Sequence, residues 1–141
     1  MMKAGKYYVG DLCYVLNDVW DEFCSITIED HDCLDGEFQL SDGTKFASYR
    51  TKWGDGQYAD QHRRWYAVDA GLIGCVSLED LEKYGVQPTE EYGMGGNVIE
   101  FKEDFETSGG QHDGIITFGH IVIDTAGNVW DDNEEEWYEE E

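Results

Sequence analysis

The sequence HRRWYAVDAGLIGCVS, residues 62–77, passes from a basic, aromatic edge into a run of small and apolar residues. A single carboxylate, Asp69, interrupts the run, and Ser77 begins a Ser-x-x-acid pattern that is typical of a helix N-terminus. The stretch predicts a strand around which a β-rich core is built. It also predicts a short helix that follows to about Tyr84 and ends at Gly85.

A hairpin is predicted on the N-terminal side of this strand. The pair Asp42-Gly43 is a preferred sequence for a two-residue type I′ turn, and residues of strand-like composition flank it. Such a loop places Phe38 on the same face as Ala47 and leaves Phe46 on the opposite face.

The rest of the chain alternates between short strand-like segments and turns. The predicted elements are a strand within residues 7–16 that bends at Gly10-Asp11, a helix at 19–24 capped by Asn17 or Asp18, a brief strand at 25–28, a half-exposed strand at 97–105 and a bent central strand at 114–123. These elements predict a mainly β fold of the β-rich α+β class. We expect an antiparallel sheet, a sandwich or a partly open barrel with two short helices.

Length and composition predict one domain over residues 1–130, followed by an acidic, flexible tail over residues 131–141. The four cysteines lack paired spacing, and no apolar segment follows the N-terminal residues. No run reaches the length of a membrane span. We therefore expect a cytoplasmic chain with reduced thiols and no membrane partner.

The charge of the chain is its least ordinary property. There are 32 acids against 9 bases, a formal net charge of -23, and residues 65–141 hold 20 of the acids but only two bases. Such a field repels nucleic acid and favours a basic or nucleic-acid-binding protein as the partner. Duplex DNA carries about one charge per 1.7 Å, so this charge corresponds to roughly 40 Å of duplex. The alternative is an acidic surface that serves solubility.

The candidates for acid–base catalysis are Asp11, Asp69 and one of three histidines, His62, His112 or His120. The structural alternative for Asp69 is a side chain that holds the turn before Ala70-Gly71, and for His120 it is a core position in an apolar strand. No nucleophile elbow, zinc-protease motif or phosphate-binding loop is present. We therefore predict no catalytic residue.

Metal binding has weak candidates. Cys24, His31 and Cys33 lack the paired spacing of a zinc module. Residues 30–36 resemble a calcium loop, but one acid and the glycine fall one position late. We predict no dedicated metal site and no cofactor.

Five bases, Lys45, Arg50, Lys52, Arg63 and Arg64, are interspersed with the aromatic residues Trp53, Tyr58 and Trp65. Bases and aromatic rings together can clamp a nucleotide, whereas the structural alternative is that the bases neutralise neighbouring acids. A clamp of bases and aromatic rings predicts a small-ligand (nucleotide-binding) or catalytic module. Its pocket would be formed by Tyr14, Trp53, Arg63, Arg64, Trp65, Tyr66 and Asp69.

The motifs VGDLCYV at residues 9–15 and VDAGLIG at 68–74 resemble small, acidic, uncharacterised proteins of tailed bacteriophages and mobile elements. Leu12 stands where that motif is expected to have proline. The resemblance implies a phage-type accessory protein in the bacterial host cytoplasm and transfers no catalytic residues. A plain structural or virion-associated part is a further alternative.

Charge and resemblance together favour one hypothesis: a DNA-mimic-like inhibitor of a host nucleic-acid-binding or defence protein. The carboxylates predicted to form its interaction surface lie in two groups. The first group is Glu100, Glu103, Asp104 and Glu106, and the second, towards the C-terminus, is Asp131, Asp132, Glu134, Glu135 and Glu136.

Overall fold

A five-stranded antiparallel sheet forms the centre of the computed structural model, which describes residues 1–30, 32–88, 95–110 and 114–126. In spatial order its strands are β4 (Gly36–Gln39), β5 (Lys45–Arg50), β8 (Leu72–Ser77), β1 (Gly5–Gly10) and β9 (Asn97–Phe101). The middle strand, β8, is the second half of the stretch 62–77. Its first half forms a separate strand, β7 (Trp65–Val68), because the turn at residues 69–71 redirects the chain.

Among the described residues, three smaller sheets accompany the central one. β6 (Gly56–Ala59) pairs with β7 as a hairpin, and β2 (Ile28–Glu29) pairs with β3 (Asp32–Cys33). The third has the order β10 (Thr107–Ser108), β11 (Ile115–Phe118) and β12 (Ile121–Asp124).

The central sheet is buried on both faces, as alternation along β1 shows. Tyr7 and Val9 belong to a core shared with the β6–β7 hairpin and the three-stranded sheet. Tyr8 points the other way, into a core shared with the helices α1 (Trp20–Thr27) and α2 (Leu78–Leu81). Burial on both faces explains the nearly continuous apolar character of β8.

The fold class is therefore as predicted: mainly β, antiparallel, with two short helices. Within the described ranges, no helix is long and apolar enough to cross a bilayer. The predicted tail at 131–141 lies outside the described residues, so the domain boundary at residue 130 stays a prediction.

The helix after β8 begins and ends as predicted. The Ser77 hydroxyl oxygen accepts a hydrogen bond from the Glu79 N–H at 3.0 Å, which caps α2. A 3-10 helix (Glu82–Tyr84) continues α2, and Gly85 follows it in the left-handed conformation at φ 71°.

The first helix differs from its prediction in two ways. Val19 is the residue at its N-terminal cap, without a side-chain cap, instead of Asn17 or Asp18. The helix also continues through Thr27, so the predicted strand at 25–28 is wrong for all but its last residue. Phe23 and Thr27 are buried one turn apart, and the Thr27 hydroxyl donates to the Phe23 carbonyl. Burial at helical spacing overrides the β-prone composition.

The predicted register of the β4–β5 hairpin is wrong by one residue. Leu40 and Thr44 close a three-residue loop, with Gly43 at φ 96°, so Phe38 pairs with Phe46 instead of Ala47. A single inserted loop residue transfers every side chain to the other face of a strand. Phe38 therefore packs with Phe46, at 5.6 Å between ring centroids, in the core on the helix side.

The predicted bent strand at 114–123 is a hairpin. β11 and β12 turn at Gly119-His120, where Gly119 has φ 55°. A Cβ atom on Gly119 would lie 2.9 Å from the Cβ of Phe105, so only glycine lets this turn approach Phe105 so closely. His120 is exposed, which corrects its prediction as a core histidine.

Glycine also fills a confined position where β1 and β8 meet. Gly10 and Gly74 pair across the two strands. A Cβ on Gly74 would collide with the Ala47 carbonyl and the Leu12 side chain, and one on Gly10 would lie 2.6 Å from the Tyr8 hydroxyl. The 3-10 helix (Leu12–Tyr14) that follows β1 can therefore pack directly on the central sheet.

Asp42 joins the β4–β5 loop to the end of the α2 segment. Its carboxylate accepts hydrogen bonds from the Tyr84 hydroxyl at 2.6 Å and from the Thr44 N–H at 2.9 Å. The Tyr84 hydrogen bond is the main cause that lowers the pKa of Asp42 from 3.8 to about 2. A lowered pKa in the folded state contributes stability above the unfolded pKa and loses it as the pH falls through the folded pKa.

We expect Asp42 to titrate near pH 2 in an NMR pH titration of the side-chain carboxyls. Tyr84→Phe should raise this midpoint towards 3.8, and Asp42→Asn should reduce the loss of unfolding free energy between about pH 4 and pH 2. Asp18→Asn, at an exposed carboxylate, is the control. An Asp42 midpoint that Tyr84→Phe leaves unchanged would contradict the assignment.

Candidate functional site

The two motifs of the resemblance meet at the buried side chain of Asp11. One carboxyl oxygen accepts hydrogen bonds from the backbone N–H groups of Asp69 and Ala70, at 2.7 and 2.6 Å. The other accepts the Cys13 N–H at 2.9 Å and so caps the 3-10 helix after β1. Asp11 is fully buried, with 0% of its surface exposed. It therefore serves a structural role between β1 and the turn that leads into β8.

Asp69 has a different role from both of those predicted. Its own side chain is exposed and accepts a hydrogen bond from the Tyr14 hydroxyl, while Asp11 holds the turn. The hydrogen bond to Asp69 is the main cause that raises the pKa of Tyr14. Asp69 is therefore an exposed carboxylate that pairs with Tyr14, and it is not the carboxyl within an apolar environment that the hypothesis of a general base assumed.

The neighbouring thiol is also unsuited to catalysis. Burial, together with a hydrogen bond to Asp11, raises the pKa of Cys13 to about 12. Because the thiolate is the reactive form of cysteine, Cys13 is a poor nucleophile near neutral pH.

A second buried carboxyl, Asp60, shapes the loop between β6 and β7. It accepts hydrogen bonds from the backbone N–H groups of His62 and Arg64, from the Arg64 guanidinium at 3.3 Å and from the Tyr66 hydroxyl at 2.7 Å. Arg63 lies in this loop in the left-handed conformation, at φ 67°. Asp60 was not among the residues predicted from the sequence, although an aspartate directly after a strand is a common signal of a turn held by its own side chain.

The predicted ligand-binding residues divide into separate groups. Tyr66 points into the core, where burial and then Asp60 raise its pKa, and Tyr14 contacts Asp69. Trp53 is 68% exposed, and the Lys52 ammonium lies 5.7 Å from its ring centroid. Arg64 and Trp65 line a common hollow.

That hollow has a volume of about 430 Å³. The described residues that line it are Gln57, Arg64, Trp65 and Asn97. It therefore combines an aromatic face, a guanidinium and two carboxamides.

The first group of predicted acids lines a different feature, an open groove of about 660 Å³ beside β9. Glu100 lies in β9, and Glu103, Asp104 and Glu106 lie on the segment that leads to β10. We call this feature the acidic groove; His120 and Lys102 also line it.

Packed aromatic rings hold the acidic groove in shape. Phe101 and Phe105 stack with their centroids 3.9 Å apart, and the Tyr7 ring meets both edge-on. The backbones of Phe105 and Met2 exchange two hydrogen bonds of 2.9 Å. The predicted strand at 97–105 ends at Phe101, and a bend at residues 102–103 follows. Phe101 and Phe105 are buried on either side of this bend, and Glu103 and Asp104 between them are exposed, whereas a continuous strand would place Glu103 on the face of the two phenylalanines.

The carboxylates of the groove differ in their partners. Asp104 accepts the Ala4 N–H at 2.8 Å and lies 3.7 Å from the Lys3 ammonium. Glu100, Glu103 and Glu106 are exposed, and within the described residues their side chains make no hydrogen bond or ion pair. Three carboxylates of the groove are therefore available to an incoming cation.

Several predicted bases do neutralise neighbouring acids. Arg50 contacts Asp35 at 3.4 Å, and Lys45 contacts Glu37 at 3.5 Å. These contacts support the alternative that Lys45 and Arg50 neutralise neighbouring acids.

The metal candidates gain no support from the described residues, among which no group of three or more histidine, cysteine or acidic side chains could hold an ion. Other predicted residues lie outside the described ranges: His31, His112 and the C-terminal acids Asp131, Asp132, Glu134, Glu135 and Glu136.

Comparisons with protein families, curated proteins and solved structures found no match.

We expect Asp11→Ala to lower the free energy of unfolding at pH 7 by about 3 kcal/mol, because three backbone N–H groups lose their acceptor. Tyr14→Phe, which removes only the exposed Tyr14–Asp69 hydrogen bond, should cost about 1 kcal/mol or less. Urea unfolding followed by tryptophan fluorescence measures both. Equal losses in the two variants would show that Asp11 does not hold the turn.

Proposed function

We propose that this chain is an acidic interaction protein whose acidic groove binds a basic surface of a partner, and that the partner is a nucleic-acid-binding protein of a bacterial host. The observation that carries the proposal is the position of Glu100, Glu103 and Glu106 beside one groove, where these three carboxylates make no hydrogen bond or ion pair with the described part of the chain.

The charge of the chain supports a basic partner. The described residues alone hold 21 acids against nine bases, so the excess of acids does not depend on the C-terminal segment. A field of one sign accelerates association with a surface of the opposite sign and repels polyanions. The carboxylates then take the place that phosphates occupy on the partner's own ligand.

The groove adds direction to this general attraction. Phe101 and Phe105 support its wall by stacking, so the acids stand on a packed base. Because the backbone beneath these glutamates is held in place, only their side chains must become ordered when lysine or arginine side chains enter the groove. Such preorganisation is what distinguishes a binding surface from a merely solvated one.

The test replaces three groove acids in the full-length chain: Glu100→Gln, Glu103→Gln and Glu106→Gln. The matched control is Asp18→Asn, Glu29→Gln and Glu82→Gln, three exposed acids that do not line the groove and whose replacement changes the net charge equally. Immobilised wild-type protein captures partners from a bacterial lysate at about 0.1 M salt, where electrostatic attraction acts over about 10 Å. The partner identified in this way is then purified.

We expect the purified partner to bind DNA or RNA, and the nucleic acid to compete with this chain for it. The groove variant should lose about tenfold in affinity, whereas the control should stay within about twofold. A partner without nucleic-acid binding, or equal losses in the two triple variants, would contradict the proposal.

A further inference from the structure

The hollow beside the β6–β7 hairpin lies among residues that the acidic groove does not use. Trp65 stands at its edge with 51% of its surface exposed, although a tryptophan ring is a large apolar group. Across from the hairpin, Asn97 begins β9 and lines the same hollow. An exposed ring beside buried polar atoms is a common feature of small-molecule sites.

Asn97 gives the hollow an unused acceptor. The residue is only 7% exposed, and its side-chain N–H donates to the Trp65 carbonyl oxygen at 2.9 Å. This hydrogen bond fixes the orientation of the amide. Within the described ranges the other atom of the amide, Oδ1, accepts no hydrogen bond. A buried acceptor without a partner favours a ligand that carries an N–H or O–H group.

Arg64 gives the hollow unused donors. One guanidinium nitrogen, Nη1, donates to the buried Asp60 at 3.3 Å, which anchors the group at one end. No hydrogen bond from its Nε or Nη2 atoms is formed within the described part of the chain, and 40% of its side-chain surface is exposed. A guanidinium presents paired donors in a plane, and this arrangement matches two neighbouring acceptor atoms.

We propose that this hollow binds a guanine base. The base would stack on Trp65, its O6 and N7 acceptors would receive the free Arg64 donors, and its N–H groups would donate towards Asn97 Oδ1. Adenine offers only one acceptor, N7, on the corresponding edge, so it satisfies Arg64 less well. The acidic field of the whole chain favours a single nucleoside or nucleotide over a polymer.

The site is independent of the acidic groove, because its described lining residues are different. Its failure would therefore leave the proposed function unaffected, and failure of the proposed function would leave this site unaffected.

The test is a titration of the full-length, ¹⁵N-labelled chain with guanosine, guanosine monophosphate and adenosine, followed by NMR. We expect guanosine to shift the Trp65 indole N–H and the Asn97 side-chain amide in a saturable manner, at least fivefold more tightly than adenosine. Comparable affinity for guanosine and its monophosphate shows that the phosphate does not contribute to binding and supports recognition of the nucleoside. Tighter binding of the monophosphate also supports the site and identifies a nucleotide as its ligand.

Two variants test whether guanosine stacks on Trp65 specifically or on any exposed aromatic ring. Trp65→Ala should weaken guanosine binding about tenfold, and Trp53→Ala, at a second tryptophan that is exposed in the described part of the chain, should leave it within twofold. Both side chains are exposed, and the amide spectrum of each variant verifies its fold. Arg64→Lys retains the charge but not the paired donors, so the preference for guanosine over adenosine should disappear.

Four results would overturn the proposal. They are the absence of a saturable shift, equal binding of guanosine and adenosine by the wild type, a loss with Trp53→Ala instead of Trp65→Ala, and the same shifts produced by a neutral methyl glycoside. The last result would identify a saccharide site.

Discussion

The arrangement of the chain depends on the hydrogen bonds that the buried carboxyl of Asp11 accepts. This carboxyl holds the turn through which the polypeptide leaves the β6–β7 hairpin and enters β8, the middle strand of the central sheet. The same side chain begins the 3-10 helix after β1. A buried carboxyl is costly unless its oxygens receive hydrogen bonds, and the three N–H groups here meet that requirement only when both segments are in place. The hairpin and the central sheet are thereby fixed relative to each other.

Local patterns in the sequence were sufficient to predict the elements whose burial follows a simple period. Ile99, Phe101 and Phe105 are buried as their alternation predicted, and Ser77 caps α2. The errors arose where contacts between residues far apart in the sequence determine the local structure. The β4–β5 loop contains one more residue than Asp42-Gly43 suggested, because Phe38 packs against Phe46, and a shift of one residue reverses both faces.

The candidate sites were predictable to different degrees. Exposure of Glu100 and Asp104 follows from alternation, but the groove beside them exists because the β11–β12 turn reaches Phe105 from a distant part of the chain. Asn97 faces Trp65 across 32 positions of sequence, a contact that composition and spacing do not encode. Asp60 and Asn97 are ordinary residues in the sequence, and their importance arises only from burial.

The glycine pair at positions 10 and 74 has a consequence for how distant relatives of this chain can be found. Neither position has room for a β-carbon, and Asp11 stands directly beside the pair. The exposed carboxylates, by contrast, can change with little strain on the backbone. Two chains of this architecture can therefore differ at nearly all of their surface residues and still retain the two glycines and the buried aspartate. A search weighted towards paired glycines flanked by a buried aspartate should detect ancestry that overall identity conceals.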